Sequence, residues 1–424
     1  MVCAKEIQKK YDSEGPVGYL LGATEFAISN LKTISALDIV RKNNAGDLVT
    51  AMDRSVHGSV IQYFREIGLS VAILGEEGQH QTANPQWAIL IDEIEGTQNA
   101  VNQLPYGINM AIAPWRERIQ VGDLESSVVT NLYDERIFVG EKAKGAYKIV
   151  CGERRELDRT QTDVYECPSP NAYTTSDEQA WRQGRLAEIF KKVIGNQPRS
   201  IDATGTRLVE LADSNICAYG DWRNATKCWD VLPSALIIQE AGYVLTDSLG
   251  FDLSNAVFYD KNNPNYERDG GLNRRVGENF IAASSEVHKS LIYPENWDDP
   301  CTWDIAIDIG RFIQPHHWRR SRENAEQIVR YFKETVSRVK ILENLIEDKT
   351  KAYGEFDYAN LRKVLPLLRA KIHPALPNYQ MAGMLGIVTD YNNGPHPEFN
   401  WDKPFPNLES FDSFSENLGV PIAH

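Results

Sequence analysis

Two apolar rhythms alternate along the chain. Between residues 16 and 42, Leu20, Leu21, Phe26, Ile28, Leu31 and Ile34 recur at roughly helical spacing, with Lys and Arg near the end, and predict a helix. A second helix is expected from Asp53 to Ile67, where Val56, Val60, Ile61 and Phe64 share a face. The rhythm then changes. Val71-Ala-Ile-Leu and Trp87-Ala-Ile-Leu-Ile are short apolar runs ending in acidic residues, as in buried strands whose carboxyl ends open onto a site. Ile108 to Pro114 and Ser126 to Leu132 continue as predicted strands, and the segments around 131–135 and 141–146 carry hairpin chemistry, so the first half reads as α+β.

Residues 152–170 are polar, contain Pro168 and Pro170, and mark a crossing between domains. Beyond them, helices are predicted at Asp177 to Val193, from Thr206 to Ala212, and at Asp230 to Ala241, with strands at Arg199 to Asp202 and Tyr243 to Leu245. Gly242 stands where a left-handed helix cap is easiest to adopt. From about residue 300 the character changes again: Ser321 to Glu347 and Tyr358 to Ala370 are amphipathic helical segments, followed by an aromatic-rich tail that reads as an extended arm. The expected parts are an N-terminal α+β domain (1–155), a C-terminal α/β domain of the same body (156–299), and a helical extension with an extended tail (300–424).

Composition narrows the function. A formal net charge of −14 over 424 residues offers no basic surface for a nucleic-acid polymer or an anionic membrane. Six scattered cysteines, with no CxxC pair, point to neither a zinc site nor a disulfide framework, and reduced thiols suit a cytoplasmic protein. No apolar run approaches the ~20 residues of a membrane helix.

Acids gather at element edges in Asp47 to Asp53, Gly75-Glu76-Glu77-Gly78, Asp92-Glu93-Ile94-Glu95-Gly96-Thr97 and Cys228-Trp229-Asp230. Glu77 and Glu93 read equally well as surface acids. The Asp92 segment is different, because an apolar run leads straight into three acids within four positions. A strand buried on both faces does not end in such charges without something to neutralise them, and a pair of divalent cations is the economical answer.

The strings GDLVTAMD (46–53), ILGEE (73–77), IDEIEGTQN (91–99), GTRLVELA (205–212) and CWDVLPSALIIQEAGYVLTD (228–247), in this order, resemble the inositol monophosphatase family. FIAASSEVHKSL (280–291) looks like its closing strand and helix, so the resemblance runs from about residue 16 to about 293. It implies an α/β body, layered αβαβα as an α+β sandwich, and Mg²⁺-dependent hydrolysis of a small anionic phosphate monoester by activated water. Glu76, Asp92 and the carbonyl of Ile94 would hold one Mg²⁺, and Asp92, Glu95 and Asp230 a second; Mn²⁺ is an alternative ion. Asp53 and Thr97, with Glu76, would form the catalytic set, and Gly96 and Thr97 would face the phosphate. A homodimer and a small phosphorylated metabolite are the implied partners.

Three departures qualify the resemblance. The family string Asp-Pro-Ile-Asp-Gly-Thr carries Glu93 and Glu95 in place of its Pro and second Asp, and the extra methylene of Glu95 moves its oxygens about 1.5 Å. The acid expected four residues after Asp53 is His57, which reads either as a polar helix residue or as a contact to a third ion. Arg223 stands where inositol-cleaving members place a Glu, and with Arg207 and Lys227 it suggests a substrate bearing a second anion, unless these cations pair with Glu210, Asp221 or Asp213. The alternative to a phosphatase is a repurposed member that binds a phosphorylated metabolite, or performs another metal-assisted reaction on it, without hydrolysing it.

Overall fold

The computed structural model describes residues 3–31, 39–42, 48–157, 165–166, 186–187, 190–191, 203–221, 223, 226–247, 252–262, 270–274, 276–277 and 280–292. The helices expected at Ser321 to Glu347 and Tyr358 to Ala370, the tail, the strand at Arg199 to Asp202 and most of the helix at Asp177 to Val193 lie outside them. The chain falls into two compact units. The first (1–183, 194–247, 251–288) carries the elements that follow except residues 289–292 of the last helix, and the second comprises 184–193, 248–250 and 289–424.

Helices α1 (Ala4–Tyr11) and α2 (Pro16–Leu31) open the chain, followed by the hairpin β1 (Ile39–Lys42) and β2 (Leu48–Thr50). Here the helix expected through residue 42 is corrected. Its last part is strand, because Ile39-Val40 is β-branched and pairs with Leu48–Thr50, a tertiary gain that local helical spacing does not register. Next come α3 (Ala51–Ile67), β3 (Val71–Gly75), β4 (Gln79–Gln81), β5 (Trp87–Glu95), α4 (Thr97–Asn102), β6 (Gly107–Pro114), β7 (Arg118–Gln120), β8 (Ser126–Asn131), β9 (Arg136–Glu141), β10 (Gly145–Val150) and β11 (Glu153–Glu156). An eight-stranded sheet is ordered β11-β10-β9-β8-β6-β5-β3-β4, antiparallel except where β3 runs parallel to β5. The polar crossing segment therefore begins as an edge strand, since the four residues of β11 are exposed and, among the described residues, pair only with β10.

The remaining elements are β12 (Tyr165–Glu166), α5 (Thr204–Leu208), β13 (Ala218–Asp221), α6 (Cys228–Glu240), β14 (Val244–Asp247), β15 (Val257–Asp260), β16 (Phe280–Ala283) and α7 (Ser285–Ile292). A second sheet is ordered β12-β13-β16-β14, and β15 pairs with β7. Helix α6 ends at Gly242, whose φ of +88° is the left-handed conformation expected there.

Strand alternation sorts the side chains into layers. Val71, Ile73, Ile89, Ile91, Met110 and Val128 face one way and pack with Leu20, Phe26, Val56, Val60 and Tyr63 of α2 and α3. Leu74, Leu90, Ala111 and Ala113 face the other way, onto Trp229, Leu232 and Leu236 of α6. The far side of α6 buries Val231, Ala235 and Ile238 with Leu245, Phe280 and Ala282 of the second sheet. Because Leu245 points inward, Thr246 points outward, and its Oγ1 lies 2.9 Å from His288 Nε2 on α7. The order is thus helix, sheet, helix, sheet, helix: the expected α+β layered sandwich. No helix among the described residues is long and apolar enough to cross a membrane.

Candidate metal centre

The centre is made by an irregularity in β5. Asp92 is registered opposite Asn109 and Glu95 opposite Gly107, so Glu93 and Ile94 together oppose the single Ile108. This is a β-bulge. In a regular strand, residues 92 and 95 would face opposite sides of the sheet. With one extra residue inserted, Glu93 and Ile94 both turn toward α3: Ile94 joins the core on that face, and Glu93 Oε1 lies 2.6 Å from His57 Nδ1 on the helix. Glu95 thereby returns to the side that Asp92 occupies.

On that side α6 brings in Asp230, and candidate ligand oxygens of Asp92, Glu95 and Asp230 all lie within 4.8 Å of one another. Asp230 sits in the first turn of α6, where its Oδ2 accepts a 2.7 Å hydrogen bond from the backbone N–H of Lys227. The electrostatics show the strain of gathering acids. Burial, and then the neighbouring Glu95 charge, holds the Asp92 carboxyl well above its ordinary value. Burial also pushes Asp230 up to about 6. Converging carboxylates that resist ionising together are a fitting set for a hard divalent cation such as Mg²⁺, which takes oxygen ligands and supplies the missing positive charge.

The other expected site residues are placed as follows. Glu76 lies exposed in the bend after β3, outside the group of three, although its charge still bears on Asp92. Asp53, buried in the first turn of α3, has its Oδ1 3.4 Å from Thr97 Oγ1, which is also 3.0 Å from the carbonyl oxygen of Ile94. A hydroxyl has one proton, so Thr97 donates to one of these oxygens at a time. Gly96 has a φ of +80°, and a Cβ there would lie 2.6 Å from that of Ala203, itself at φ +81° just before α5. That close approach requires glycine.

The three cations diverge. Arg223 is buried and grips Asp221, with Nη2 2.6 Å from Oδ2 and Nε 3.0 Å from Oδ1. Arg207 Nη1 stands 3.8 Å from Glu210 Oε1, and Lys227 caps α6 next to Asp230.

Three buried residues near the centre go beyond the sequence reading. Glu93 is no surface acid, being only 1% exposed, and no local signal could reveal a partner 36 residues away. Asn109, opposite Asp92, is fully buried with neither amide atom hydrogen-bonded among the described residues. Its Nδ2 would lie 2.1 Å from a Cβ on Gly205, so α5 approaches the sheet at the foot of the carboxylate group. Cys228, two residues before Asp230, is fully buried, and burial raises its thiol far above the ordinary range.

A layered αβαβα body whose carboxylates converge at a bulged strand end defines a class of protein with a candidate divalent-metal centre. The comparisons make this specific: the family model described as inositol monophosphatase family matches residues 17–291, and the chain belongs to that family. Human inositol monophosphatase 1 is 28% identical over 244 residues, covering 54% of this chain and 81% of that protein. Human inositol monophosphatase 2 is 26% identical over 224 residues, covering 49% and 71%. Among solved structures, the extragenic suppressor protein suhB from Bartonella henselae aligns with a TM-score of 0.48 at 16% identity, covering 65% of this chain and 96% of that one. Family membership supports metal-dependent phosphatase activity in general.

Proposed function

We propose that the chain hydrolyses a small anionic phosphate monoester, such as a sugar phosphate, bisphosphate, nucleotide or biosynthetic intermediate, with Mg²⁺ as its cofactor. The observation that carries this reading is the convergence of Asp92, Glu95 and Asp230 from two separate elements. Asp92 would be shared between two ions, with Glu95 and Asp230 completing one set and Glu76 and the Ile94 carbonyl the other. Glu76 reaches its place from the exposed bend in which it stands. Bound there, Mg²⁺ would activate water and neutralise the phosphoryl group during in-line displacement.

The chain's own groups do the rest. Asp53 Oδ1 takes a proton from the attacking water, held in place by Thr97 Oγ1, which donates to Asp53 or to the Ile94 carbonyl as the water comes and goes. Gly96, lacking a side chain, leaves room for the phosphate beside Thr97. Arg207 and Lys227 would meet a second anionic group on the substrate. Arg223, gripped by Asp221, shapes that wall through its partner. By family resemblance the proposal extends to a homodimer in the cytoplasm.

The test is phosphate release from a panel of sugar phosphates, bisphosphates and nucleotides, with Mg²⁺ and Mn²⁺ titrated separately. Metal-dependent release is expected, with Arg207→Ala losing more on substrates that carry two anions than on monophosphates. No release from any substrate with either metal would defeat the reading and favour a protein that binds a phosphorylated metabolite without cleaving it.

A further inference from the structure

We infer that the His57–Glu93 pair is a positioning device for the metal centre, locking the β5 bulge that brings Asp92 and Glu95 to one side of the sheet. The inference rests on the proposed metal-ligand roles of those carboxylates.

Four observations support it. First, Glu93 is one of the two residues that oppose Ile108, so its side chain is attached to the irregularity itself. Bulges leave the ladder locally unpaired, and an anchor on the extra residue decides which face its neighbours take. Second, Glu93 is seated in a space kept open for it: a Cβ on Gly75 would lie 2.8 Å from Glu93 Oε1 and 2.7 Å from Ile91 Cγ2. Gly75 is the last residue of β3, immediately before Glu76.

Third, His57 lies one turn beyond Asp53 on α3 and therefore shares its face of the helix. Two polar contacts between α3 and the β5–α4 segment, His57 with Glu93 and Asp53 with Thr97, are rungs of one ladder. The pair thus ties together the elements that present Asp53, Glu76, Asp92 and Glu95.

Fourth, the arrangement is a poor way to gain stability. Glu93 Oε2 is buried with no hydrogen-bond partner among the described residues. A buried polar pair with one oxygen left unsatisfied is commonly no better than apolar packing of the same volume, so a role in geometry accounts for it where a role in stability does not. Partners that orient ligands from behind typically change metal affinity by about 10–100-fold when removed.

The experiment is calorimetric titration of Mn²⁺ into the metal-free, full-length chain. Wild type is compared with His57→Ala, His57→Asn, Glu93→Gln and the double variant His57→Ala/Glu93→Gln, and the melting temperature of each metal-free protein is recorded. Asn places an amide nitrogen about where Nδ1 stands, and Gln keeps an acceptor for it. The double variant removes the pair without leaving a buried charge, so it stays informative if His57→Ala alone fails to fold.

The expected result is a loss of about tenfold in Mn²⁺ affinity in the double variant. Affinity close to wild type is expected in His57→Asn and Glu93→Gln, with no matching trend in melting temperature. A folded double variant with wild-type affinity would overturn the inference, as would His57→Asn losing as much as His57→Ala. If wild type itself takes up no Mn²⁺, the metal-site reading fails first and takes this inference with it.

Discussion

Among the described residues, two dense charge clusters are built on opposite terms. In one, Arg136 bridges Glu210 at 2.6 Å and Asp213 at 3.3 Å, and Lys148 reaches Asp213 at 2.6 Å. Acids and bases there come from β9, β10 and the segment after α5, and they neutralise one another across the sheet-to-helix boundary. In the other, Asp92, Glu95 and Asp230 converge, and burial resists the ionisation of Asp92 and Asp230. The first cluster closes its electrostatics within the chain. The second gathers like charges that an added cation would relieve, and that difference in electrostatic terms sets the two clusters apart better than the number of acids does.

The sharpest way to break the contrast is Asp92→Asn, which removes the carboxylate placed between the other two. Turnover should fall about 10³-fold or more, equivalent to ~4 kcal/mol in barrier, with the metal-free protein no less stable than wild type. A steady-state assay with a melting curve reads both, and retention of activity would show that the converging acids are incidental.

Arg136→Ala should do the reverse. Leaving Glu210 buried without its guanidinium should cost about 3 kcal/mol of stability, while the variant, once folded, hydrolyses substrate at saturating Mg²⁺ as wild type does. Denaturant titration checks the first part and kcat the second. A stability loss that Mg²⁺ repairs beyond its effect on wild type would mean that the clusters are coupled.

The smallest of the three effects is the one that sharpens the comparison furthest. Mg²⁺ at about a hundred times its dissociation constant should stabilise wild type by about 2.7 kcal/mol. The same increment is expected in Arg136→Ala and none in Asp92→Asn, with thermal unfolding as the measurement.

Much of this was legible in the residues alone. The run Ala88-Ile-Leu-Ile leading into Asp92 announces a buried strand ending at a site, and helix α6 with its glycine stop reads directly from spacing. What the residues do not announce is the bulge. Counted on a regular strand, Glu95 belongs on the α3 side, and only the register against β6 shows that it does not. His57 and Glu93 stand out in the sequence only as separate departures from the family strings, and the contact that joins them lies between distant segments. The over-long first helix has the same cause: Ile39–Lys42 takes its conformation from a partner strand rather than from its own periodicity.

One consequence of the helix that delivers Asp230 lies in labelling chemistry. Cys228 is inaccessible and held as a thiol, whereas Cys3 and Cys151 are exposed on the surface. An alkylating reagent will mark the two exposed positions at once and reach Cys228 only when the start of α6 opens. Peptide-resolved labelling at Cys228 is therefore a clock for the opening of this end of the centre, carried by the native sequence without any engineered probe.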